Sequence, residues 1–316
     1  MKILIAYDGS SCAEAALDDL ARAGLPEAGE FLVISVVEVW LPPENIRQEW
    51  EAENPDSYLK EINRKHDEKT NEAVAEVKTM ANHAAQRLLK MFPGWTVSAE
   101  AAFGSPAWEI LTKADAFKPD LIVAGSQGHS AVGRFFLGSI SQKVLTEAHC
   151  SVRVARGRVE VDPTPPVRII IGFDGSEGAQ AAVEAIARRH WREASEFRLV
   201  TATGHIDPKA IERFAPPVAN WLEGEMQYER EWMEKLAAPA MQILQDAGYT
   251  VTRQTVTGNP KQSLVEEAER WHADAIFVGV NRFGGHVERF LLGSVAAAVA
   301  ARANCSVEVV RKDLAD

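Results

Sequence analysis

Residues 2–8 are apolar and largely branched, Ile3-Leu4-Ile5-Ala6-Tyr7 closing on Asp8, with no polar alternation. That pattern predicts a strand buried on both faces, as in a parallel sheet. Asp8-Gly9-Ser10 turns the chain, and Ser10 or Ser11 is placed to cap a helix running to about Ala23. A second strand is expected over 31–39. Over 61–91, Val74, Val77, Ala81, Ala84 and Leu88 recur at helical spacing among Glu, Lys and Gln, which predicts an amphipathic helix. Further strands are expected at 96–102, 121–125 and 151–155. A helix opens at Pro106, where a missing N–H does no harm, and another spans 138–148. Strands alternating with helices imply a doubly wound parallel α/β sheet with right-handed crossovers.

The pattern then repeats. Lys2-Ile3-Leu4-Ile5-Ala6-Tyr7-Asp8-Gly9-Ser10 matches Arg168-Ile169-Ile170-Ile171-Gly172-Phe173-Asp174-Gly175-Ser176 at an offset of 166. Gly104-Ser105-Pro106 matches Gly258-Asn259-Pro260, and the run Asp120 to Gly125 matches Asp274 to Gly279, both at 154. Arg134-Phe135-Phe136-Leu137-Gly138-Ser139 matches Arg289-Phe290-Leu291-Leu292-Gly293-Ser294 at 155, and so does Cys150-Ser151-Val152 with Cys305-Ser306-Val307. So many matches in one order describe two copies of one unit. The expected domains are 1–157 and 167–316, joined by 158–166, where Pro163, Pro165 and Pro166 suit a short stiff linker. Strands of the second copy are expected near 168–173, 197–203, 250–256, 275–279 and 306–310.

Composition changes this picture little. The 316 residues suit two domains, and a unit of about 150 residues buries roughly 70% of its unfolded surface. A net charge of −11 argues against binding a phosphate polymer such as nucleic acid. It leaves open a small nucleotide, which backbone N–H groups can hold. The opening residues do not read as a signal peptide, and no stretch approaches a membrane span, so cytoplasmic residence is expected. Cys12, Cys150 and Cys305 show no metal or disulfide spacing and read as small buried residues. His149, His205 and His286 likewise lack ligand spacing, and no metal site is expected from protein side chains alone.

Chemistry concentrates at two strand ends, where sheets of this class bind ligands. One is Asp8. The other is the loop from Gly125 to Ser139, framed Gly-x2-Gly-x9-Gly-Ser. Gly125 and Gly128 let backbone N–H groups approach an anion. Gly138 and Ser139 open the next helix, which offers free N–H groups and a positive dipole end. Ser126 and Ser139 each supply a hydroxyl. This frame resembles the ATP-binding pattern of the universal stress protein family. The Asp-Gly-Ser after strand one, the Gly-x-Pro after strand three and the strand after Cys150 resemble it too, over nearly all of both halves.

The resemblance implies an adenine-nucleotide α-hydrolase-like fold with sheet order 3-2-1-4-5 in each half. It implies that Ala6, Asp8 and Val36 face base and ribose. Gly125, Ser126, Gln127, Gly128, Gly138, Ser139 and Ile140 would line the ribose and phosphates of ATP, ADP or AMP, with Mg²⁺ accompanying a triphosphate. The second copy departs from the frame. Asp174, Gly279, Gly293 and Ser294 remain, but Arg282 replaces the second glycine and one residue is added, with Gly284 and Gly285 nearby. Arg282 either fills the phosphate position or pairs with a phosphate, and the copy reads as degenerate.

Each of these residues also has a plainer role. Asp8 and Asp174 can brace turns; His129 suits a solvated loop, and Arg134 and Arg289 suit surface or interface ion pairs. The segments 40–58 and 204–221 read as irregular loops over the sheet edge. Three functions compete: a nucleotide-binding stress sensor or scaffold without efficient catalysis; a slow ATPase or nucleotidyl-transfer enzyme; and an interaction protein with both sites vestigial. No Ser-His-Asp or Cys-His arrangement is legible, and neither His-x-Gly-His nor Ser-Gly-Gly-x-Asp-Ser occurs. In the sheet order the resemblance implies, the fifth strands would be exposed edges, where single units of that family often pair, and the two halves are expected to pair there as a pseudo-twofold dimer, Arg153 opposite Glu308.

Overall fold

The computed structural model describes residues 1–38, 57–126, 137–156, 166–203, 216–281 and 292–312. Expectations placed on the two glycine-loop cores (with Gln127, Gly128, His129, Arg134, Arg282, His286 and Arg289), on the proline-rich joint, and on most of the two long connections lie outside these residues. The first half runs β1 (Lys2–Ala6), α1 (Ser11–Asp19), β2 (Gly29–Val37), α2 (Ser57–Met91), β3 (Trp95–Phe103), α3 (Pro106–Phe117), β4 (Leu121–Gly125), α4 (Ser139–Glu147) and β5 (Ser151–Ala155). The second runs β6 (Arg168–Gly172), α5 (Glu177–Ala187), β7 (Glu196–Thr203), α6 (Pro216–Asp246), β8 (Thr250–Thr257), α7 (Pro260–Trp271), β9 (Ala275–Gly279), α8 (Ser294–Arg302) and β10 (Ser306–Val310).

The strands form one sheet in the order β3-β2-β1-β4-β5-β10-β9-β6-β7-β8. Within each half every pair is parallel, and β5 meets β10 antiparallel. The carboxyl ends of the two sets of strands therefore point in opposite directions. Ile3, Leu4 and Ile5 are wholly buried because helices cover both faces. Each such side chain stabilises the fold by about 1.5–3 kcal/mol.

Some local expectations need correction. β1 ends at Ala6, because the Asp8 carboxylate accepts the Ser10 N–H at 3.0 Å and turns the chain there. Ser10 is the helix cap, accepting the Ala13 N–H at 3.2 Å. α1 stops at Asp19 and a 3₁₀ turn, Leu20–Arg22, carries the chain on. Residues 216–221 belong to α6, with Pro216 and Pro217 at its start, where neither proline removes an intrahelical bond. Cys305 is buried, whereas Cys12 and Cys150 are half-buried.

The seam between halves has two unlike faces. Val152, Val154, Val307 and Val309 point to one face and merge both halves into a single apolar core. On the other face the register sets Arg153 opposite Glu308, both wholly buried, between two separate cores. Arg153 Nε donates to Asp19 Oδ2 at 2.6 Å and Nη1 to Glu308 Oε2 at 3.2 Å. Arg189 from the second half donates to both Glu308 oxygens and, at 2.9 Å, to the Ala23 carbonyl of the first. Burial opposes the charge on Arg153, but Asp19 and Glu308 outweigh it and hold the guanidinium above its ordinary pKa. Two further arginines cross the seam reciprocally. Arg156 donates to the Ala300, Ala301 and Ala303 carbonyls at the end of α8, and Arg311 to those of Leu145 and Cys150 beside the end of α4. Removing one partner of a buried charge network strands the others. Glu308→Ala should therefore cost about 3–5 kcal/mol in denaturant unfolding, whereas a loss below 1 kcal/mol would show that the seam does not depend on it.

Candidate functional site

β1 and β4 lie side by side, Ala6 against Ala124, and connections leave their carboxyl ends in different directions. A cavity of about 230 Å³ opens there. Among the residues expected at the site, it is lined by Ala6, Asp8, Val36, Gly125, Gly138, Ser139 and Ile140. Ser126 is not on the lining. Its carbonyl accepts the Gly138 N–H at 2.8 Å and its own N–H reaches the Ala155 carbonyl at 3.2 Å, so it fastens the two ends of the loop together. Gln127 and Gly128 are outside the described residues.

The lining also includes residues that the sequence did not assign to the site: Tyr7, Ala13, Ile34, Pro106, Ile110, Ala124 and Ser141. Ile34, Val36, Ile110, Ala6 and Ala124 make the walls largely apolar, suited to a flat ring. Pro106 is at the start of α3, placed by Gly104, whose φ of 129° few other residues adopt. At the opposite side Gly138 precedes α4 without a side-chain cap, so the first N–H groups of that helix face the opening with Ser139. Ser141 Oγ donates to the Gly125 carbonyl at 2.6 Å and ties α4 to the end of β4. A Cβ on Gly125 would stand 3.0 Å from the Cys12 backbone, which is why glycine ends β4. An apolar slot leading to an uncapped helix start can hold a planar apolar ring at one end and an anion at the other.

Asp8 braces its turn through Ser10 as well as facing the cavity, and Asp174 makes the same 3.0 Å bond to the Ser176 N–H. The turn-bracing role is thus common to both. Tyr7 has no counterpart hydroxyl in the second half, where Phe173 stands. Its OH donates to Glu14, and Arg87 of α2 donates to Glu14 and Asp18. Burial, then the bond to Glu14, raises the Tyr7 pKa above the usual tyrosine range, so the group stays a donor. In the second half Gly279 ends β9, and Gly293 and Ser294 open α8 as Gly138 and Ser139 open α4. Among the described residues no three or more His, Cys, Asp and Glu converge as a metal site, and no helix is long and apolar enough to cross a membrane. Tyr7→Phe, which copies Phe173, should lower unfolding free energy by about 1–2 kcal/mol through the lost bond to a charged group. Equal stability of the two proteins in urea would refute that role.

The chain was also compared with known proteins. The universal stress protein family model matches residues 1–156 and again 167–311. A universal stress protein of Mycobacterium tuberculosis is 26% identical over 328 residues, covering 98% of this chain and 97% of that one. Another, from Mycolicibacterium smegmatis, is 29% identical over 239 residues, covering 73% and 76%. The crystal structure of a universal stress protein from Archaeoglobus fulgidus covers 99% of this chain and 98% of its own, with a TM-score of 0.58 at 20% identity, a likeness of fold. With both halves matched by one model, the chain belongs to the universal stress protein family.

Proposed function

We propose that this protein binds an adenine nucleotide, ATP or its di- or monophosphate, in the first-half crevice and acts as a stress-response sensor or scaffold whose state follows occupancy. One observation carries the reading: the cavity at the ends of β1 and β4 joins an apolar slot to the uncapped start of α4, at the glycine frame that resembles the family's ATP-binding pattern. Adenine would lie among Ala6, Ile34, Val36, Ile110 and Ala124, with Asp8 toward the ribose. The phosphates would meet Gly125, Gly138, Ser139 and the intervening loop with Gln127 and Gly128. Mg²⁺ suits this site as a companion of the triphosphate. It demands hard oxygen ligands, which phosphates and water supply, with Asp8 and the Ser139 hydroxyl as the nearby protein oxygens.

A sensor rather than an enzyme fits the lining. Of its described residues, Asp8 and Tyr7 alone carry ionisable side chains; Asp8 braces its turn and the Tyr7 hydroxyl is committed to Glu14. Neither is placed as a general base.

The protein purified without added ligand should release adenine nucleotide on denaturation, and the emptied protein should bind ATP with a Kd below about 1 mM, the weak end of specific binding. Ala124→Val, which thickens the slot, should weaken binding about tenfold or more. Absence of both retained nucleotide and sub-millimolar affinity would sink the reading. Steady conversion of ATP to ADP by the intact protein would replace the sensor with an enzyme.

A further inference from the structure

The two crevices share a backbone plan but not an interior. The offsets pair Ala6 with Gly172, Cys12 with Gly178, Ile110 with Leu264, Ala124 with Val278 and Gln127 with Asn281. The register agrees, setting Gly172 against Val278 as it sets Ala6 against Ala124.

Three features close the second crevice. First, its floor is closely packed: a Cβ on Gly172 would lie 3.1 Å from Val278 Cγ1 and 3.2 Å from Leu264 Cδ1. Val278 and Leu264 thus crowd the side-chain position that Gly172 leaves vacant and that the Ala6 methyl occupies in the first crevice. Second, the end of β9 is pressed onto the first turn of α5. A Cβ on Gly279 would stand 1.7 Å from the Gly178 carbonyl oxygen, whereas the equivalent distance at Gly125 is 3.0 Å to Cys12. Third, the Gly178 N–H, one of the open donors of a helix start, donates to Asn281 Oδ1 at 2.8 Å. A side chain on residue 178 would meet the Val280 backbone and that same Asn281 oxygen at 2.7–2.9 Å. Cys12 in the first half therefore forbids the arrangement that Gly178 permits.

We propose that the second crevice is latched shut by its own chain, with Asn281 as a built-in ligand for the α5 start and Val278 and Leu264 as its filling. One chain then takes one nucleotide. The last step rests on the first-crevice reading given above; the latch itself does not.

The test is amide hydrogen exchange at Gly178 in the full chain, read with native mass spectrometry in ATP. Gly178 should be protected, and Asn281→Ala should speed its exchange about tenfold or more while Ala181 and Ala182 of the same helix stay unchanged. Asn281→Asp, which keeps an acceptor oxygen, should restore protection. Gly178→Cys, which imports the first-half residue, should displace Asn281 and be visible as new exchange across 279–281. The spectrum should show one ATP per chain. Unprotected Gly178 in the parent protein, protection indifferent to Asn281, or two ATP per chain would each overturn the latch. Protected, Asn281-dependent Gly178 with no ATP bound would uphold the latch and place the failure in the first-crevice reading.

Discussion

The molecule is organised by one antiparallel contact, β5 against β10. It removes the two strand edges that separate halves would expose, and its register leaves no freedom about what meets at the seam. Slipping by one residue would put Arg153 and Glu308 on opposite faces, Arg153 opposite Val309 and Glu308 opposite Val154. The bonds from Arg153 to Asp19 and from Arg189 to Glu308 and Ala23 make such a slip costly, because each buried charge has its partner across or beside the seam. The contact also fixes function geometrically. Since the halves run antiparallel, the two crevices open at opposite ends of one sheet and cannot share a ligand.

Within that frame the halves diverge through small changes of volume. Ala124 to Val278 adds two methyl groups in the floor. Cys12 to Gly178 removes a side chain at the helix start. Interiors are close-packed, so changes of this size decide whether space remains. One copy keeps a cavity of about 230 Å³; at the other the Gly178 N–H is taken by Asn281 and Val278 crowds the place of the missing Gly172 side chain. Duplication thus supplies both edge strands of the seam, while each crevice is packed by its own residues.

Much of this was legible in the sequence. The strands β4 and β9 are uninterrupted apolar runs ending in glycine, and β5 and β10 alternate valine with one charge, and the limits of all four are legible from those patterns. The Arg153–Glu308 opposition followed from the repeat together with the sheet order and edge pairing that the family resemblance implies. The crevice residues Asp8, Gly125, Gly138 and Ser139 followed from their place at strand ends. The rest depends on distance in the chain. Tyr7 finds Arg87 through Glu14 across 73 residues between Glu14 and Arg87. Arg189 reaches Ala23 and Glu308 across 166 and 119 residues, pairings no local pattern encodes. Asn281 carries no signal in the glycine frame, whose departure lies at Arg282, and its bond to the Gly178 N–H joins residues 103 apart. Ala13, Ile34, Pro106 and Ile110 read as core or cap, which they are; that they also face a cavity depends on the small size of Ala6 and Ala124.

The central claim is that one crevice of two matched ones accepts an adenine nucleotide. A crystal structure grown in ATP tests it most directly. The account predicts density for a nucleotide between Asp8 and the Gly138–Ser139 helix start, with none between Asp174 and Gly293. Density in both crevices, in the second alone, or in neither would contradict it.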